Sequence, residues 1–177
     1  MNGDEGIILE GTLHSAAGVG VVRIKARYEA GIEDVWSALT APSRLAGWFG
    51  SVTGDLRVGG EFAAIVLASG WDGRGRIDVC VQQQTLSVTM WEKEGAEHTA
   101  ESQLVADGDR TILVLEVRGV NLEWVWAYGA GWQEHLEDLG SHLLGHDRAD
   151  VPAGSGARFQ ELEAHYRAMP VEPLNPL

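Results

Sequence analysis

The sequence is poor in basic residues and has no long hydrophobic run, and both scarcities narrow the classes of protein to consider. Its 13 lysines and arginines are outnumbered by 26 acidic residues, which gives a formal net charge of −13. Because so negative a surface repels phosphate backbones and anionic lipids, it disfavours nucleic-acid binding and electrostatic docking on a membrane. No window approaches the run of about 18 apolar residues that crosses a bilayer.

Cysteine is nearly absent, and the only one, Cys80, lies in an alternating apolar stretch. This pattern predicts a buried packing role in a reducing compartment. The start MNGDEGIILEGTLH lacks the basic segment and long apolar run of a secretory signal. We therefore expect a cytoplasmic protein.

Motifs for common chemistries are also missing. The sequence contains no GxSxG nucleophile elbow, no GxGxxG or GxxxxGK[ST] phosphate loop and no HExxH zinc motif. His135, His142 and His146 share one helical stripe, and the last two have the spacing of a metal-binding pair. Because Gly145 is expected to end the helix before His146, a solvated helix face is the preferred interpretation. We predict no catalytic residue, no metal ligand and no cofactor.

Apolar periodicity predicts the elements. Short stretches with a period of two indicate strands, and the period changes to helical after residue 28, where Ile32, Val35, Trp36 and Leu39 form one stripe. Pro42 ends that helix and begins a second short one. The predicted strands are residues 7–13, 21–28, 52–56, 61–67, 75–82, 85–91, 98–106 and 111–119.

One long helix follows the strands, over about residues 123–144. Its apolar stripe consists of Trp132, Leu136, Leu139 and Leu143, and Gly145 is a suitable residue for its C-terminal cap. Strands in an uninterrupted run with helices at both ends indicate an α+β protein. We predict a curved antiparallel sheet of about seven strands wrapped around the long helix, with two short helices after the first strands.

The composition changes after residue 145. The stretch HDRADVPAGSGA is typical of a linker, and Phe159, Leu162 and Tyr166 then recur at helical spacing. We expect residues 1–145 to form one domain. Residues 146–177 are expected to form a linker, a short amphipathic helix and an extended tail that pack on it.

Several blocks carry a resemblance to a known family. They are VWSALTAPSRLAGWFG, LRVGGEF, GRIDV, TLSVTMWE, DRTILVLEVRGV and YGAGWQEHLEDL, which lie between residues 35 and 139, and the resemblance covers about residues 22–144. In this order they resemble the branch of the START/SRPBCC superfamily that is similar to activators of heat-shock-protein-90 ATPase. The resemblance implies a helix-grip fold in which the long helix closes a cavity over the sheet.

The chain departs from that family at two positions. Where many relatives carry tryptophan at the end of a central strand, this sequence has Met90, with Trp91 one place later. Where many carry histidine in the last strand, it has Val117. The superfamily includes lipid carriers, cyclases, co-chaperones and resistance proteins without a common catalytic set, so the resemblance does not name the function.

Tryptophans indicate where a ligand would bind. Trp36 and Trp132 match family positions in the core, whereas the cluster NLEWVWAYGAGW contains more rings than one helical stripe can bury. Gly129 and Gly131 leave room beside that cluster, and aromatic walls with few polar groups are typical of small-molecule sites. The predicted ligand-binding residues are Trp71, Met90, Trp91, Trp124, Trp126 and Tyr128.

Three functions remain open at this point. We predict that the protein binds a hydrophobic small molecule between the long helix and the sheet. A cyclase or hydrolase would instead place a titratable pair in that space, and Arg76 with Asp78 or Glu116 is the pair to examine, although these side chains and Glu61 are expected to face solvent. A protein-interaction module, with a chaperone, a regulator or a second copy of the chain as partner, would expose an apolar patch.

Overall fold

The computed structural model describes residues 7–91, 97–150 and 156–174. Its elements in chain order are β1 (Ile7–Ala16), β2 (Val19–Tyr28), α1 (Ile32–Thr40), α2 (Pro42–Trp48), β3 (Gly50–Gly54), β4 (Glu61–Val66), β5 (Asp72–Val81), β6 (Thr85–Trp91), β7 (Glu97–Asp107), β8 (Arg110–Val120), α3 (Val125–Leu143), α4 (Ala157–Arg167) and β9 (Val171–Pro173). Residues 151–155 of the predicted linker and 175–177 of the predicted tail lie outside the described residues.

One curved sheet contains all nine of these strands, in the order β3-β4-β5-β6-β7-β8-β2-β1-β9. Strands β1 and β2 form a hairpin whose turn residues, Ala17 and Gly18, both have positive φ, at 50° and 81°. Such turns match the right-handed twist of the paired strands. Strand β8 pairs with β2, which brings the N-terminal hairpin beside the end of the strand run.

The core lies between the concave face of the sheet and α3. On β2, Val22, Ile24 and Ala26 are fully buried. Lys25, which lies between Ile24 and Ala26, faces solvent. Leu136 and Leu139 of α3 are buried against this face. The hydroxyl of Tyr28 donates a hydrogen bond of 2.9 Å to the carbonyl oxygen of Leu136, so a buried polar group on the sheet is satisfied by the helix.

The predicted α+β helix-grip architecture is confirmed, with nine strands instead of about seven. The long helix begins at Val125, because residues Leu122–Trp124 form a 3₁₀ turn, and it ends at Leu143. Trp132 and Leu143 of the predicted stripe are only half-buried, although both pack against the core. Gly145 follows the helix with a φ of 89°, the left-handed conformation expected of a C-terminal cap.

The C-terminal segment contacts the rest of the chain through α4 and β9. Tyr166 of α4 is fully buried, and its hydroxyl donates to Oε1 of Gln133 on α3 at 2.7 Å. Its ring lies where β carbons on Gly11 and Gly129 would stand, so these two glycines make the close approach possible. Strand β9 then pairs in parallel with β1.

The expectation that Cys80 is buried is wrong. The strand pairing of β5 shifts between Ile77 and Val79, and this irregularity interrupts the inward–outward alternation. Val79, Cys80 and Val81 are consequently all exposed. The cysteine stands at the surface although its sequence neighbours are apolar.

Candidate functional site

Two empty spaces adjoin each other beneath and beside α3. The first, which we call the inner cavity, has a volume of about 130 Å³ and lies between α1, α2, α3 and the concave face of the sheet. Apart from Thr40, Cys80 and Ser102, the side chains around it are aliphatic, aromatic or thioether groups. Because Cys80 is exposed and also lines this space, it stands at an opening of the inner cavity.

The inner cavity exists because small and large side chains alternate on the inward face of the sheet. Gly75 of β5 has no side chain, and the ring of Phe62 occupies the place where its β carbon would project. Ala100 of β7 is similarly short, and both residues face inward. The place over Gly75 is thus filled by Phe62, whereas the short side chain of Ala100 leaves part of the inner cavity open.

The second space, which we call the outer groove, has a volume of about 440 Å³ and is more open. It lies between the β4–β5 turn, the first half of α3 and α4. Its walls include the rings of Trp71, Trp124, Tyr128 and Phe159. The ring of Trp71 lies over Gly73, where a β carbon would come within 2.2 Å of it, so this glycine allows the indole to lie flat on β5.

Three residues, Phe49, Met90 and Trp132, line both spaces and so form a shared wall between them. The rings of Phe49 and Trp132 are stacked with centroids 6.5 Å apart. His135 meets both rings edge-on, at 5.5 Å from Phe49 and 5.6 Å from Trp132. Three mutually contacting rings thus separate an apolar cavity from a wider groove.

Two buried histidines belong to the outer groove. His98 and His135 are 7% and 8% exposed, and burial lowers the pKa of each to about 4. The nearby Arg148 guanidinium lowers the pKa of His135 further. Nδ1 of each ring is buried without a hydrogen-bond partner. Both imidazoles are therefore neutral at physiological pH, and the expected solvated face does not hold for His135.

The other two histidines of the predicted stripe take different places. Nδ1 of His142 is 2.6 Å from the Asp147 carboxylate, and its Nε2 accepts a hydrogen bond from Nε of Arg44 at 3.1 Å. With both ring nitrogens engaged, His142 has no free position for a metal. His146 is exposed beyond the end of α3. The described residues contain no group of three or more His, Cys, Asp and Glu side chains placed to hold a metal ion.

A buried ion cluster lies behind the groove on α3. Nη1 of Arg148 donates to the carboxylates of Glu134 at 3.2 Å and Asp138 at 3.3 Å. Burial raises the pKa of Asp138 to about 6, although Arg148 opposes this shift and Glu134 adds to it. The cluster connects the turn after α3 to the helix. Its groups line neither space, so neither wall contains a carboxylate.

The predicted ligand-binding residues fall into two groups. Trp71, Trp124 and Tyr128 lie on the outer groove, and Met90 lies on the shared wall. Trp126 and Trp91 line neither space. The indole nitrogen of Trp126 donates to the carbonyl of Glu123 at 3.0 Å, and the guanidinium of Arg167 lies 3.6 Å above its ring, so this tryptophan packs against α4.

The sequence did not predict a place in the site for Phe49, His98 or His135. Phe49 directly follows the last residue of α2, and its ring stacks on that of Trp132. His98 shows no sequence signal beyond its place in an alternating strand. His135 lies four residues before the buried Leu139 on α3, and this i, i+4 spacing indicates that both side chains share one face of the helix.

The polar pair proposed for catalysis faces away from both spaces. Arg76 and Asp78 form an ion pair of 2.7 Å on the outward side of β5, and Glu116 accepts from Arg23 at 2.5 Å on the outward side of β8. Glu61 pairs with Arg74, again at the surface. Within the described residues, no carboxylate faces either space, and the titratable groups of the outer groove are His98 and His135.

Comparisons with known proteins agree with this architecture. The sequence profile of the family described as Activator of Hsp90 ATPase homolog 1-like protein matches residues 29–143. No curated protein sequence matches the chain significantly.

Among solved structures, the crystal structure of CalU16 from Micromonospora echinospora has a TM-score of 0.74 at 26% identity and covers 93% of this chain and 98% of its own. DynU16, from the dynemicin biosynthetic locus, has a TM-score of 0.67 at 23% identity over 72% of this chain and 49% of its own. An HSP90 activator from Plasmodium falciparum has a TM-score of 0.57 at 20% identity over 71% and 96%. At these identities, the last two show a common fold only.

Proposed function

The chain belongs to the Activator of Hsp90 ATPase homolog 1-like family, and from that premise we propose that it binds a hydrophobic small molecule between α3 and the curved sheet. The observation that carries the proposal is the composition of the inner cavity, whose wall contains no charged side chain and three polar or thiol groups. Apolar surface of this kind favours hydrocarbon over water, at about 25 cal/mol per Å² removed from solvent.

The adjoining groove supports the same function. Ligand sites in proteins typically combine aromatic walls with a few convergent polar groups. In the outer groove, tryptophan and tyrosine rings surround the neutral imidazoles of His98 and His135. A neutral imidazole can donate or accept a hydrogen bond without the desolvation cost of a charge. Such groups would orient an uncharged ligand.

Enzymatic and protein-binding functions have less support. A cyclase or hydrolase would place a titratable pair beside the substrate. Among the described residues neither wall has a carboxylate, and the titratable groups of the outer groove, His98 and His135, both have a pKa of about 4 and are neutral. A co-chaperone role would rest on the description of the family and on a fold shared at 20% identity with an HSP90 activator. Within the described residues, none of the helices has the length and apolarity that a bilayer crossing requires.

Dye binding tests this proposal directly. An uncharged polycyclic fluorophore should bind with a dissociation constant on the order of micromolar and quench tryptophan emission. Trp124→Ala should weaken binding by up to about tenfold, because a ring contact contributes about 0.5–1.5 kcal/mol. Trp91→Ala is the matched control, since the same change is made on a ring that lines neither space. Trp126 is unsuitable, because its ring centroid lies 5.7 Å from that of Trp124.

The control should keep an affinity within about twofold of the unsubstituted protein. Equal loss of affinity in both variants would place the dye outside the outer groove. If a broad panel of uncharged apolar compounds neither binds nor raises the melting temperature, the binding function is wrong, and the protein-interaction function becomes the leading alternative.

A further inference from the structure

The inner cavity and the outer groove differ in size, polarity and shape, although they touch. The cavity, at about 130 Å³, is slightly smaller than an engineered cavity of about 150 Å³ that accepts benzene. It therefore has room for a fragment of about four to six carbon atoms. The groove, at about 440 Å³, is in the range of volumes that accommodate larger ring systems.

The shared wall between them consists of side chains that can move. Phe49 and Trp132 are half-buried, and each has empty space on two sides. A ring with voids on both sides has fewer contacts to lose than a ring in a filled core, so a rotamer change is less costly for it. Met90, the third residue of the wall, is unbranched and adapts its shape readily. The wall is thus a partition that a ligand could displace.

Resting on the proposed function, we propose that the two spaces form one site in two chambers, and that its ligand is an uncharged molecule with a flat aromatic head and a short hydrocarbon chain. The head lies in the outer groove between Trp71 and Trp124, with one oxygen beside the imidazoles of His98 and His135. The chain passes the shared wall and fills the inner cavity.

Each part of the ligand follows from the chamber that holds it. A planar head matches the groove because aromatic rings stack favourably at offset or edge-on geometries. A hydrocarbon chain matches the cavity because a polar chain would lose its hydration there without finding partners. An anionic ligand is disfavoured by the net charge of −13.

A homologous series of fluorophores tests the two-chamber site. In 6-acyl-2-(dimethylamino)naphthalenes the head stays constant while the acyl chain grows from acetyl to octanoyl. We expect the affinity to rise about threefold to fourfold for each methylene that enters the inner cavity, and then to level off when the cavity is full. The plateau should come at about butanoyl to hexanoyl.

A cavity-filling variant identifies the chamber that holds the chain. Ser102 lines the inner cavity, so Ser102→Leu should abolish the gain with chain length, and the acetyl and hexanoyl compounds should bind this variant with equal affinity. Gln103→Leu is the matched control, because Gln103 is the next residue of the same strand, is exposed and lines neither space. The control should retain the full dependence on chain length.

Alkylation of Cys80 gives a second measurement that needs no substitution. It is the chain's only cysteine, it is exposed, and it lines the inner cavity. Hexanoyl and longer compounds should slow its reaction with iodoacetamide at least about tenfold at saturation, whereas the acetyl compound should leave the rate unchanged.

The outcomes separate this inference from the proposed function. If the compounds bind with an affinity independent of chain length and without protection of Cys80, the two-chamber site is wrong while small-molecule binding stands. An affinity that rises through octanoyl without a plateau would also overturn it, since an octanoyl chain is longer than the inner cavity can hold. Failure of every compound to bind would overturn the proposed function as well.

Discussion

His98 and His135 connect the groove to the stability of the fold. Burial lowers the pKa of each histidine to about 4 from 6.5, so between these values the unfolded chain binds more protons than the folded one. Their stabilising contribution is complete above pH 6.5 and is lost as the pH falls toward 4. Asp138, whose pKa is raised to about 6, acts in the opposite direction: its contribution is lost as the pH rises from 3.8 through 6.

Because two histidines oppose one carboxyl group, we predict that the free energy of unfolding decreases by several kcal/mol from pH 6.5 to pH 4, at about 1.4 kcal/mol for each unit of pKa shift. Urea unfolding across this range measures the slope. The double variant His98→Leu, His135→Leu should reverse its sign, because Asp138 then acts alone, and Asp138→Asn should steepen it. A slope unchanged in the double variant would show that the histidines are accessible to solvent in the folded protein.

Individual residues were the least predictable level of this protein. Trp124 and Trp126 have the same neighbours in sequence, yet one lines the groove and the other packs beneath Arg167. Which of the two meets a cation depends on where α4 returns, and no local pattern contains that information. Cys80 shows the same limit, because a shift of strand pairing overrode the alternation on which its burial was predicted.

At the level of elements, the packing of α3 against α4 involves two glycines of α3, Gly129 and Gly131, whose surroundings differ. A β carbon on Gly129 would stand 2.5 Å from the ring of Tyr166 and 3.1 Å from Leu13, whereas one on Gly131 would meet only Phe159, at 4.0 Å. Both glycines lie inside α3, where replacement by alanine favours the helix intrinsically by about 0.5–1 kcal/mol.

We therefore predict opposite effects of the same substitution at these two positions. Gly129→Ala should lower the free energy of unfolding by about 1–3 kcal/mol, because it overpacks the contact with α4. Gly131→Ala should raise it by up to about 1 kcal/mol. Chemical denaturation measures both values. Equal stabilisation by the two substitutions would mean that Tyr166 does not lie against α3.

Most elements could be predicted from periodicity alone. Alternation of apolar residues in β2 and the helical stripe around Leu136 and Leu139 both depend on spacing within one segment, and the structure has both where they were expected. Helix α3 begins at Val125, two residues after the predicted start at residue 123. A 3₁₀ turn comes first, and the side chain of Asn121 caps it by accepting a 2.8 Å hydrogen bond from the amide of Glu123. Strand β9 could not be predicted, since three residues with a proline acquire a strand conformation only by pairing with β1.

At the scale of the whole molecule, the site arises from the way a curved sheet meets a straight helix. The two surfaces touch best along the middle, and the short inward side chain of Ala100 increases the remaining space on one side. The sequence resemblance predicted this architecture and the family profile agrees with it. The division into an inner cavity and an outer groove could not be predicted, because it depends on Phe49 and Trp132 meeting across elements far apart in the sequence.

The most direct test of ligand binding between α3 and the sheet is methyl NMR on protein labelled at methionine. Met90 lies on the shared wall, whereas Met169 lies beyond α4 and lines neither space. On addition of the hexanoyl naphthalene, the Met90 methyl signal should shift through the ring current and show nuclear Overhauser effects to the ligand, while the Met169 signal stays in place. An unchanged Met90 signal at saturating ligand would contradict the account.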